Sequence, residues 1–94
     1  MRTTKIAVFP GDGIGSEVVE QAREVLAFCA DRFGFRIEWT EGLAGGVAIE
    51  REGTALPEAS LNMARASDAV LLGAVGGPKW DDPQAAVRPE QALL

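Results

Sequence analysis

The residues best equipped for chemistry stand in one stretch, Gly73-Ala-Val-Gly-Gly-Pro-Lys-Trp-Asp81, directly after the apolar run Val70-Leu-Leu72. Glycine lacks a Cβ, so Gly73, Gly76 and Gly77 let the backbone turn sharply and approach another molecule closely. Pro78 fixes the exit of the loop. Lys79, Trp80 and Asp81 then place a cation, a large flat ring and an anion in successive positions. A loop that only had to reverse the chain would need far less.

A second glycine-rich turn, Gly11-Asp-Gly-Ile-Gly15, lies between a strand-like run and a helical pattern. The dinucleotide-binding fingerprint asks for glycine at its first, third and sixth positions, with an acid further on for the ribose. Here the sixth position is Ser16, and the acid would be Glu38 or Glu41, of which Glu38 falls within the body of a strand. Three readings stay open on these residues: a Rossmann-type site, a plain strand-to-helix turn, and a different cofactor-binding family. Both glycine loops follow predicted strands. In open α/β sheets ligands bind at the carboxyl ends of the strands, so two loops converging there weigh more than either alone.

Other chemistry is scarce. The chain has no histidine, which removes the commonest general base and metal ligand. Asp81 and Asp82 are adjacent, have no evident third partner, and read as a solvated loop. Arg88 and Glu90 are two apart and do not face each other on a helix, leaving Glu90 to point into a cleft. Nothing supplies a nucleophile with an adjacent base. The single cysteine, Cys29, cannot form an internal disulfide, which fits a reducing compartment. It falls on an apolar helical stripe and reads as a small core residue.

The elements that must position these residues follow from periodicity. Thr4 to Phe9 is nearly continuously apolar from Ile6 onward, as expected of a central parallel strand. A helix is predicted from Gly15 to Arg32, with Ser16 as N-cap and Gly34 as the stop. Val18, Ala22, Val25, Leu26, Cys29 and Phe33 supply its buried stripe. Phe35 to Thr40 alternates, a strand covered on one side. Val47 to Arg51 forms a short helix closed by Gly53. A further helix runs from Glu58 to Ala66, a third strand from Asp68 to Gly73, and a first helical turn from Arg88, with Pro89 near its start. Strand–helix alternation predicts an α/β layer with right-handed crossovers.

Ninety-four residues suffice for one small domain, and 47% apolar content is that of a folded protein. A net charge of −5 argues against nucleic acid as a partner. No secretory signal and no membrane-length apolar run is visible, so a soluble cytoplasmic protein is expected. Leu93 and Leu94 close the sequence on an apolar pair without a helix stop, which reads as a cut chain.

Phe9-Pro-Gly-Asp-Gly-Ile-Gly-Ser-Glu-Val18 resembles the opening of the β-decarboxylating dehydrogenases, the isocitrate/isopropylmalate dehydrogenase family. Leu72 to Asp81 followed by Arg88-Pro-Glu-Gln-Ala-Leu-Leu94 is similar to its isopropylmalate branch. Ser16 stands where the family usually has proline, and Ala92 where glycine is common. The resemblance covers essentially the whole chain. It implies an α/β fold with an open, largely parallel sheet flanked by helices, not a true Rossmann fold. Residues 1–94 would be the N-terminal portion of a single dehydrogenase domain.

The activity implied is NAD-dependent oxidation and metal-assisted decarboxylation of 3-isopropylmalate, in leucine biosynthesis. Ile14, Gly77, Pro78, Lys79, Trp80, Asp81 and Glu90 would bind NAD, with Glu90 near the nicotinamide ribose. Leu93 and Leu94 would wall the pocket for the isopropyl group. The catalytic residues and the Mg or Mn ligands would lie downstream, so the fragment alone would be inactive. The family also implies a homodimer. The alternatives are a tartrate/malate-type or homoisocitrate relative, and a small non-catalytic α/β nucleotide-binding protein.

Overall fold

The computed structural model of the chain describes residues 2–77 and 87–93. In order, the elements are β1 (Thr3–Gly11), α1 (Gly15–Phe33), β2 (Arg36–Glu41), α2 (Gly46–Glu52), α3 (Glu58–Arg65), β3 (Ala69–Ala74) and a 3-10 turn over Pro89–Leu93. The three strands form one sheet in the order β2-β1-β3. Both pairings are parallel, with Ile6 opposite Trp39 on one side and Ala69 on the other. This is the expected α/β architecture, an open parallel sheet flanked by helices.

β1 is central because both of its faces are apolar, as parallel strands with helices on either side require. Ile6, Ala7, Val8 and Phe9 are all buried. Ile6 and Val8 point to one face, where Val19 and Leu26 of α1 meet Ile37, Trp39 and Leu71 of the flanking strands. Ala7 and Phe9 point to the other, against Ala44, Leu56, Leu72, Ala92, and Met63 and Ala64 of α3. The crossover from β1 to β2 therefore lies on one face and that from β2 to β3 on the opposite one. β2 is half-covered, as its alternation predicts: Ile37 and Trp39 are half-buried, while Glu38 and Thr40 are exposed. The Arg23 guanidinium lies 4.8 Å from the centre of the Trp39 ring, closing the α1 side of that strand.

Helix α1 departs from the expected packing. Val18, Val25 and Phe33, placed in the buried stripe by their spacing, are 48%, 62% and 75% exposed. The stripe that meets the sheet is Gly15, Val19, Ala22, Leu26 and Ala30. Small residues at its two ends let the helix axis approach the strands, and the bulkier seam is left facing out. Cys29 is half-buried rather than deep in the core. Ser16 is inside the helix, and Ile14 takes the N-cap position with no side-chain cap. The stop is as expected: Gly34 is left-handed, at φ 74°, and its N–H reaches the Ala30 carbonyl at 2.9 Å.

The end of β1, the start of α1 and the end of β3 cross with no side chain between them. A Cβ on Gly11 would collide with the Ala74 carbonyl. One on Gly15 would collide with the Pro10 carbonyl, and one on Gly73 with the carbonyls of Pro10 and Gly15. Gly73 therefore lies within β3 and is spent on packing the chain against itself. The expected loop begins one residue later, after Ala74.

Val19→Ala is expected to lower stability by about 2 kcal/mol, through lost burial and the cavity left behind. Val18→Ala, one residue away, should change it by about 0.5 kcal/mol or less. Urea-unfolding midpoints at constant m-value measure both, and the reverse ranking would restore the stripe expected from spacing. Gly15→Ala should be destabilising by roughly 1 kcal/mol or more, since the collision outweighs alanine's helix preference. Thermal melts with Ser16→Ala as the neutral control check it.

Candidate functional site

Asp12 organises the carboxyl edge of the sheet. Its backbone N–H donates to the Ala74 carbonyl at 2.8 Å, and its own carbonyl accepts from the Gly15 N–H at 2.9 Å. Its carboxylate accepts three further backbone hydrogen bonds. Oδ2 takes the N–H groups of Gly46 at 2.7 Å and Gly76 at 2.8 Å, and Oδ1 takes that of Val47 at 2.8 Å. A carboxylate accepting N–H groups at the start of α2 also complements the local dipole. The two glycine loops thus converge as expected, and a half-buried anion joins them. In the sequence, Asp12 is one residue of a glycine-rich turn. Its donors lie 34, 35 and 64 residues away, and the one local signal was an acid flanked by glycines.

Gly76 follows in the left-handed region, at φ 101°. Glu90 lies against it: its Oε1 would stand 3.3 Å from a Cβ on Gly76. Glu90 sits in the 3-10 turn, which is anchored by the fully buried Pro89 and by Ala92. Arg88 and Gln91 close that turn on each other. The Arg88 N–H donates to Gln91 Oε1 and the Gln91 N–H to the Arg88 carbonyl, both at 3.1 Å. The expected separation of Arg88 from Glu90 is overturned, because Arg88 Nε lies 3.3 Å from Glu90 Oε2. Residues two apart diverge on an α-helix, but Arg88 precedes the turn and is not helical. The pair is partly exposed, at 40% and 48%, and contributes at most about 1 kcal/mol.

Among the other candidates, Ile14 is 64% exposed at the head of α1, two positions beyond Asp12. Gly77 follows Gly76, and among the described residues beyond its chain neighbours nothing stands within 4 Å of where its Cβ would be. Leu93 is 59% exposed and borders an apolar cavity of about 220 Å³ with Phe9, Leu56, Val70 and Leu72. Pro78, Lys79, Trp80, Asp81, Asp82 and Leu94 lie outside the described residues.

The connections leaving β1 and β2 go to opposite faces, which makes the gap between their carboxyl ends the switch point of this sheet. A cleft of about 160 Å³ lies there, lined by Gly11, Ser16, Glu41, Gly42 and Val47. It is below the roughly 300 Å³ at which small-molecule pockets begin. Among the described residues no three His, Cys, Asp or Glu side chains stand together as a metal site, and no helix is long and apolar enough to cross a membrane.

Comparison with known proteins agrees with this geometry. The profile of the family described as isocitrate/isopropylmalate dehydrogenase matches residues 5–94. A 3-isopropylmalate dehydrogenase of Geobacillus kaustophilus is 56% identical over the whole chain, and one of Anaeromyxobacter dehalogenans is 59% identical over 96% of it. The chain spans about a quarter of the length of these curated relatives, 25% and 26%. Among solved structures, an isocitrate dehydrogenase from Methylococcus capsulatus superposes with a TM-score of 0.67 at 32% identity, over 92% of this chain and 24% of its own. A β-decarboxylating dehydrogenase from Thermococcus kodakarensis gives 0.64 at 41% identity, over 85% of this chain and 23% of its own. With its parallel β2-β1-β3 sheet, its paired glycine loops and a family match over nearly its full length, the chain belongs to the isocitrate/isopropylmalate dehydrogenase family.

Proposed function

We propose that this chain forms the N-terminal quarter of an NAD-dependent 3-isopropylmalate dehydrogenase of leucine biosynthesis, which oxidises and decarboxylates its substrate to 4-methyl-2-oxopentanoate. The observation that carries the reading is identity above 50%, along essentially the whole chain, to relatives named for that activity. The chemistry that bound NAD would supply is a hydride acceptor for the hydroxyl-bearing carbon. The residues of this chain bind and orient. Exposed Ile14 offers an apolar surface to the cofactor, and the Gly76–Gly77 backbone admits it closely. Glu90, paired with Arg88 through one oxygen, would accept from ribose hydroxyls; its exposure supports that role. Pro78, Lys79, Trp80 and Asp81 complete that wall in the proposal.

Leu93 and Leu94 would face the isopropyl group. Leu93 is exposed enough to make that contact, and its apolar surface is unsuited to the additional carboxylate of isocitrate, which would need a cation or a hydroxyl. Acid–base residues and the ligands for Mg or Mn belong, in this reading, to the part of the relatives' length that this chain does not span. A cytoplasmic homodimer is part of the same proposal.

The test joins this chain to the remaining three quarters of the Geobacillus kaustophilus relative and, separately, to those of the Methylococcus capsulatus isocitrate dehydrogenase. The first chimera should oxidise 3-isopropylmalate with NAD, and the second should be inactive on isocitrate. Activity of the second alone would overturn the assignment. Within the active chimera, Leu93→Ser should raise KM for 3-isopropylmalate about tenfold through the lost apolar contact. An unchanged KM would remove Leu93 from the substrate wall.

A further inference from the structure

Resting on the dehydrogenase reading above, we infer that Asp12 is a positioning residue of the cofactor site. Its carboxylate holds the Gly76 amide and thereby sets the backbone at Gly76 and Gly77. Two of its three bonds, to Gly46 and Val47, come from the start of α2, which carries none of the proposed site residues. Those two fix the carboxylate from the α2 side. The third reaches forward to Gly76, the residue in the left-handed conformation at the head of the loop.

Glu90 Oε1 lies against that residue, so a shift of Gly76 moves the surface on which Glu90 rests. Ile14 lies in the same turn as Asp12, which is tied to Ala74 through its own N–H. One anion thus spaces the two walls of the site, Ile14 on one side and Gly77 with Glu90 on the other. Both carboxylate oxygens accept from backbone donors. Asp12 acts on a ligand through the loops it holds.

The test uses the active chimera with the Geobacillus kaustophilus enzyme. Asp12→Asn and Asp12→Ala should raise KM for NAD about tenfold or more, with kcat at saturating NAD changed much less. KM for 3-isopropylmalate should move little. A residue that only stabilises the fold would lower the melting temperature and the fraction of active enzyme and leave KM for NAD unchanged; that result overturns the inference. If neither variant accumulates as folded protein, Gly76→Ala takes its place. It keeps the two bonds to α2 and strains the third, and an unchanged KM for NAD there overturns the inference equally. Amide hydrogen exchange separates this from a failure of the dehydrogenase reading. In a chimera that turns over nothing, faster exchange at Gly76 in Asp12→Ala supports the hold on the loop, and unchanged protection overturns it.

Discussion

The carboxylate of Asp12 is the interaction on which the carboxyl edge of this sheet depends. Backbone N–H groups that lose water must find an acceptor, and three of them, from two segments distant in sequence, find the same side chain. A neutral acceptor could not serve three donors as well. The sheet beneath provides the platform: β1, apolar on both faces, binds α1 on one side and α3 with the 3-10 turn on the other. That arrangement brings Ala74 beside Asp12 and Ala92 onto the face opposite α1. The polar hub and the apolar core are thus parts of one arrangement, since the core fixes where the strands end and the hub fixes what leaves them.

The residues proposed to meet a ligand are those the packing leaves outside. Ile14, Glu90 and Leu93 are exposed, while their neighbours Gly15, Pro89 and Ala92 are buried or half-buried. In each case a buried small or rigid residue anchors the chain and the adjacent one projects. This division of labour explains how short segments of a small α/β layer can hold a site: position comes from the anchor, and contact comes from its neighbour.

Much of the fold was legible in single residues. The doubly apolar run Ile6 to Phe9 marks a central parallel strand, and Gly34 and Gly53 end their helices in the left-handed conformation. The failures have physical causes. α1 carries two apolar stripes, and periodicity cannot say which one meets the sheet. Gly15 held the deciding clue, because a helix that starts against strand ends must place its smallest residue there. The Arg88–Glu90 pair escapes helical spacing because Arg88 precedes a 3-10 turn and is not part of an α-helix. The hold of Asp12 on Gly76 was invisible, since it depends on a contact across 64 residues. In the fingerprint-like turn from Gly11 to Gly15, the first and last glycines serve internal packing, which the local sequence does not reveal.

The crossing of Gly11, Gly15 and Gly73 also limits how this fold can vary. In most cores a larger residue can be accommodated when a neighbour becomes smaller. Here the neighbour of each absent methyl is backbone, chiefly the carbonyls of Pro10, Gly15 and Ala74, and no substitution makes a peptide group smaller. Compensation would have to move a strand end or a helix start as a rigid piece, and that movement would also pull on the Asp12 bonds. The three positions are therefore closed to stepwise change. Descendants of this sequence can remodel the outer seam of α1 freely before they can alter one atom at this junction.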